Sequence, residues 1–118
     1  MQSLAGQTVL VTGATGAIGQ AICTSLVGEG ARVIIHYGRN EAAAQALLDR
    51  LGGQGFCLAA YLADPQAPTR LWENAQAQAG RITALVNNAG IRSEVSVDAA
   101  LADWHATWSR EIQVNLLA

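Results

Sequence analysis

Eight residues, Thr12-Gly13-Ala14-Thr15-Gly16-Ala17-Ile18-Gly19, form a glycine-rich turn with a short list of chemical uses. The turn follows the apolar run Thr8-Val9-Leu10-Val11 and opens an apolar-periodic segment from Ile18 to Val27. Backbone without Cβ can turn tightly and approach a phosphate, and a helix start offers unpaired N–H groups at the positive end of its dipole. A glycine-rich turn between a buried strand and a helix is what a dinucleotide pyrophosphate needs. Gly13, Thr15, Gly16, Ala17, Ile18 and Gly19 are the candidate pyrophosphate ligands.

The end of the next strand selects the coenzyme. An Asp or Glu there would bind two free ribose hydroxyls and repel a 2′-phosphate. The segment reads Ile35-His36-Tyr37-Gly38-Arg39-Asn40, with Tyr37 at the acidic position and no carboxylate before Glu41. Arg39 presents a fork of donors suited to phosphate. NADP(H) is therefore expected over NAD(H), with Tyr37, Arg39 and Asn40 around the ribose. The alternative use of Arg39 is as a solvated loop cation. Asn87-Asn88-Ala89-Gly90 lies at the carboxyl end of a fourth strand, where such sheets bind ligands. Asn88, Ala89 and Gly90 are expected beside the nicotinamide ribose and Ile91 beside the ring, while Asn87 is divided between sheet support and cofactor contact.

Positioning these residues requires alternating strands and helices, hence a parallel sheet. Strands are expected at Thr8 to Val11, Arg32 to Tyr37, Phe56 to Leu62 and Ile82 to Asn87. Helices are expected at Ala17 to Val27, from an Asn40 cap through Leu51, from an Asp64 cap with Pro65 at the first turn to Ala79, and through Asn115. Trp104, Trp108, Ile112 and Asn115 share one helical stripe, expected to face the sheet. Asn115 there would be either a buried amide serving neighbouring backbone or a site residue. The fold class is α/β, a Rossmann-type doubly wound parallel sheet with about four strands in the order 3-2-1-4, as one domain over 1–118.

Thr12, Gly13, Ala17 and Gly19 match the spacing Thr-Gly-x-x-x-(Gly or Ala)-x-Gly. With Asn87-Asn88-Ala89-Gly90 and Val114-Asn115-Leu116 following in order, the chain resembles the short-chain dehydrogenase/reductase family along nearly its whole length. That resemblance implies an oxidoreductase moving hydride between a nicotinamide and a small carbonyl or alcohol substrate, commonly as a homo-oligomer. It also implies that Asn115 is the active-site asparagine, supporting a proton-relay water near a lysine. The family's catalytic serine and its Tyr-x-x-x-Lys pair lie beyond Asn115. Neither tyrosine here fits, since Tyr37 is followed four residues on by Glu41 and Tyr61 by Pro65. The chain is thus expected to be the cofactor-binding half of such an enzyme and inactive alone. A non-catalytic nucleotide-binding module, or an interaction protein completed by another polypeptide, is the alternative.

His-Tyr-x-Arg at 36–39 is similar to the corresponding segment of pteridine reductases and, more loosely, of 3-oxoacyl-carrier-protein reductases, which again favours NADPH. Two departures stand against the family pattern. Gly16 occupies a place where NADP-dependent relatives often carry a basic residue. Tyr61 stands where relatives often have an adenine-binding Asp, leaving the backbone of Leu62 as the adenine contact.

Composition narrows the classes further. The 118 residues are 51% hydrophobic and 14% charged, with a net charge of −2. That balance gives no basic field for nucleic acid or anionic lipid. No secretory signal or membrane-length apolar run is legible, so a cytoplasmic setting is expected. Cys23 and Cys57 are expected as a reduced, buried pair. They form no C-x-x-C motif, and with only His36 and His105 there is no zinc spacing, so no metal is expected.

Overall fold

The computed structural model describes residues 3–118. Its elements run β1 (Thr8–Val11), α1 (Ala17–Gly28), β2 (Arg32–Tyr37), α2 (Glu41–Arg50), β3 (Gly55–Ala59), α3 (Ala67–Ala79), β4 (Ala84–Val86) and α4 (Leu101–Ile112). A π-helical turn, Gln113–Leu117, prolongs α4. The four strands form one parallel sheet in the order β3-β2-β1-β4, as expected.

Strand alternation divides the apolar residues between two faces. Val9, Val11, Val33 and Ile35 pack with Cys23, Ala44 and Leu47 on the side of α1 and α2. Leu10 and Ile34 pack with Leu62, Leu71 and Ala75 on the side of α3. Both faces are covered, so β1 and most of β2 are wholly buried, as parallel strands ordinarily are. Cys23 lies in the first cluster, and burial pushes its thiol up to about 11. Both cysteines are free, and Cys57 is only half-buried rather than buried as expected.

Element ends moved where neighbours ran out. β3 stops at Ala59 because its partner β2 ends at Tyr37, directly opposite. β4 shrinks to the three residues that register against Val9, Leu10 and Val11. α3 begins at Ala67, not beside Asp64. The Asp64 carboxylate accepts from Gln66 N–H at 2.9 Å and pairs with Arg70 at 2.6 Å. These two partners hold that carboxyl below its usual range, and Pro68 instead of Pro65 occupies the first turn.

The larger correction concerns α4. Its stripe of Trp104, Trp108 and Ile112 does not face the sheet; all three are exposed, and the helix buries no residue. Ala84 and Leu85 of the edge strand β4 are exposed as well, so the stripe and that apolar edge do not cover one another. The radius of gyration is accordingly 15.7 Å, above the about 13.5 Å of a compact chain this long.

Asn40 caps α2 as expected, its Oδ1 accepting from Ala43 N–H at 3.0 Å. Asn40→Ala should cost about 1 kcal/mol of stability, whereas Asn40→Asp, which keeps the acceptor, should cost little. Urea unfolding checks this, and equal losses in the two variants would remove the cap from the account.

Candidate functional site

The turn after β1 is a crossing point for three strands. Gly13 has φ +61, and a Cβ on it would lie 2.8 Å from Ala89 Cα. Only glycine lets the segment leaving β4 press so closely on the turn. A Cβ on Gly19 would lie 2.4 Å from the Gly13 carbonyl oxygen, so α1 also begins against the turn itself. Gly16 differs, since a Cβ there would meet only the Gly13 carbonyl oxygen, at an ordinary contact distance of 3.6 Å.

Four side chains satisfy the turn's backbone, among them Gln20, whose Nε2 donates to the Thr15 carbonyl at 2.7 Å. Thr12 Oγ1 donates to the Val86 carbonyl and accepts from the N–H groups of Asn88 and Ala89, both at 3.0 Å. Asn88 Nδ2 donates to the carbonyls of Thr12 and Gly13, at 3.0 and 3.1 Å. From the other side, His36 Nδ1 accepts from Gly13 N–H at 2.9 Å, and the His36 carbonyl accepts from Ala14 N–H at 3.0 Å. His36 Nε2 lies 2.9 Å from the Ala60 carbonyl, which assigns the proton to that nitrogen.

What remains unpaired is as informative as what is paired. The N–H groups of Gly13, Ala14 and Gly16 are used within the protein. Among the described residues those of Thr15, Ala17, Ile18 and Gly19 have no protein acceptor, and α1 starts without a side-chain cap. They open on a cavity of about 600 Å³. Its walls are the turn, the end of β2, the segment Ala60 to Ala63 and the loop Asn88 to Ile91, with Arg110 and Val114 from α4 and its π turn. Ile18, an apolar side chain left 71% exposed, lies at this mouth. Two guanidinium groups line the cavity, those of Arg39 and Arg110, and no carboxylate does. Arg39 lies over the Tyr61 ring, 5.9 Å from its centroid, within cation–π range.

The cavity gathers Gly13, Thr15, Gly16, Ala17, Ile18, Gly19, Arg39, Leu62, Asn88, Ala89 and Gly90 from the sequence-based set. Three others lie elsewhere. Tyr37 points to the opposite sheet face and packs on the core beneath α1 and α2, because alternation along β2 gives the cavity side to His36. Asn40 is occupied as the α2 cap. Asn115 sits in the π turn, where its Oδ1 accepts from Ile91 N–H at 2.7 Å and its Nδ2 donates to the Ile91 carbonyl at 2.8 Å. It is exposed, not buried on an inward stripe, and its amide lines a second hollow of about 740 Å³ shared with Asn87.

Sequence reasoning passed over His36 and Arg110. Each had a signal: His36 shares the parity of Ile34 rather than Ile35, and Arg110 stands one helical turn before Val114.

With this geometry in place, known proteins can be set beside it. A family profile described as short chain dehydrogenase matches residues 7–118. A 3-oxoacyl-acyl-carrier-protein reductase of Synechocystis sp. is 34% identical over 120 residues, covering 98% of this chain and 47% of that protein. The structure of a short chain dehydrogenase from Burkholderia cenocepacia in complex with NADP aligns with TM-score 0.79 and 34% identity, over 95% of this chain and 49% of that one. A blue fluorescent protein from a metagenomic library, in complex with NADPH, aligns with TM-score 0.84 and 30% identity, over 96% and 47%. The chain spans about half the length of these relatives. A match running from the first strand to the last residue, on a sheet of the expected order, establishes that the chain belongs to the short-chain dehydrogenase family.

Proposed function

We propose that the cavity at the glycine turn binds NADP(H) in preference to NAD(H), as the coenzyme-binding part of an oxidoreductase acting on a small carbonyl or alcohol substrate. The observation that carries this reading is a cavity holding Arg39 and no carboxylate. The residues present fit such a group. The free N–H groups of Ala17, Ile18 and Gly19 suit a pyrophosphate. Arg39, poised over Tyr61, suits a ribose phosphate, with the Tyr61 face and Leu62 left for adenine. Ala89 and Gly90 are small enough for a ribose to lie against their backbone. The NADP and NADPH complexes among the related structures support the same choice.

The bound coenzyme would supply or accept the hydride. This chain's own part is to hold and orient it. Asn115, with both polar atoms on Ile91, fixes the loop that follows Gly90 and is the family-motif asparagine proposed for the catalytic group. The seven cationic side chains are all arginine, so this chain contains no Tyr-x-x-x-Lys pair. In a longer polypeptide supplying that pair, a homo-oligomeric reductase is the proposed whole.

Two outcomes follow. Calorimetry should show NADPH binding more tightly than NADH, and Arg39→Ala should weaken NADPH by about 10- to 150-fold while leaving NADH within about twofold. Tighter NADH binding by the unmodified chain overturns the choice of coenzyme. The second outcome is kinetic: 118-residue material of verified intact mass should oxidise NADPH no faster than buffer when given carbonyl substrates. Measurable turnover refutes the proposal that the catalytic group is incomplete here.

A further inference from the structure

One imidazole joins the two walls of the cavity mouth. His36 Nδ1 accepts from Gly13 N–H in the glycine turn, and Nε2–H donates to the Ala60 carbonyl in the opposite wall, both at 2.9 Å. The residue is 3% exposed, too little for water to replace either partner. Only the neutral ring protonated on Nε2 can make both bonds; an imidazolium would set a donor against the Gly13 donor.

We propose that His36 is a positioning residue of the coenzyme-binding turn, and that its neutral form is required for the turn to grip a pyrophosphate. The proposal rests on the coenzyme reading given above. The path from ring to ligand is short. Gly13 N–H and Ala14 N–H are both anchored on His36, Gly16 N–H donates to the Gly13 carbonyl, and the free N–H groups follow directly. On the other wall, Ala60 precedes Tyr61, the ring beneath Arg39. Losing the clasp therefore loosens the pyrophosphate seat and the phosphate-facing guanidinium together.

Few charges surround the ring. The turn and the start of α1, residues 12–19, contain no titratable side chain. The end of β2 contributes Arg39 to the cavity, the segment after β3 contributes the Tyr61 phenol, and α4 contributes Arg110. Burial pushes the imidazole below its ordinary value, with the bond to Ala60 acting the other way. The sign follows from that lowering: stability is fully present above about pH 6.5, the unfolded value, and falls as pH drops through the folded one.

The test is calorimetric titration of NADP⁺ and NAD⁺ between about pH 7.5 and about pH 5, NAD⁺ lacking the phosphate that itself titrates near pH 6. Wild-type affinity for NAD⁺ should fall about tenfold over that range. His36→Asn, whose Oδ1 can still accept from Gly13 although the bond to Ala60 is lost, should bind more weakly than wild type but more tightly than His36→Leu at the upper pH, and should lose the acid dependence. His36→Leu should bind at least about tenfold more weakly throughout. Should the leucine variant not fold, the Gly13 amide resonance of the free wild-type protein gives a second readout. It should move with the titration of the His36 ring, and an amide that ignores that titration overturns the proposal. NAD⁺ binding with the same acid dependence in wild type and His36→Asn overturns the role of His36 alone. No binding of either coenzyme at the upper pH overturns the coenzyme reading, and this proposal with it.

Discussion

A turn joining a buried parallel strand to a helix carries more backbone donors and acceptors than it can pair within itself, and burial makes each unpaired one costly. The rest of this structure depends on how residues 12–19 resolve that conflict. Thr12 and Asn88 satisfy the side facing β4, and His36 satisfies the side facing β2. Gly13 permits it, because any Cβ there would displace Ala89. The result is a turn that leaves four N–H groups of residues 15–19 without protein partners among the described residues, on segments that line one cavity.

The sheet supplies the fixed frame for that clasp. Because β1 lies between β2 and β4, both neighbours deliver their ends beside the turn, one bringing His36 and the other Asn88. The two apolar clusters lock the strands from opposite faces, so the register that sets these side chains cannot slip by one residue without exchanging the faces. Positions of the polar residues are thus consequences of how valines, leucines and isoleucines alternate.

Element order and sheet order were legible in the residues alone, since each apolar run ends in glycine or a capping residue and runs of the two periods alternate. The ends of β3 and β4 were not, because a strand lasts only as long as its neighbour, and that is a property of the pair. The glycine turn and the Asn88–Gly90 loop, both expected around a coenzyme from their residues, line one cavity. Tyr37 was placed at the site by alignment, while the pleat assigns that face to His36. Counting parity from Ile34 would have found it, and the residue type would have concealed it still, because a histidine can be a ligand, a base or a clasp. Only its two partners decide. The stripe on α4 shows the opposite failure: its helical spacing was right, but spacing says that residues share a face and not what covers it.

The division of charge within the site gives the last step. Every side chain that clamps the turn is uncharged: a threonine hydroxyl, the amides of Asn88 and Gln20, and a neutral imidazole. Burying an ion in any of those places would need a partner ion and would add a field of its own to the cavity. With a neutral clamp, the field in the cavity comes from helix α1 and from the guanidinium groups of Arg39 and Arg110 at the walls. Arg39 makes no ion pair among the described residues and touches the fold through the face of Tyr61. Its charge can be changed without unpicking the turn, so under the proposed coenzyme reading the affinity for a pyrophosphate and the preference for an additional phosphate would be set by different residues. A change to the neutral clamp would, under that reading, act on both at once.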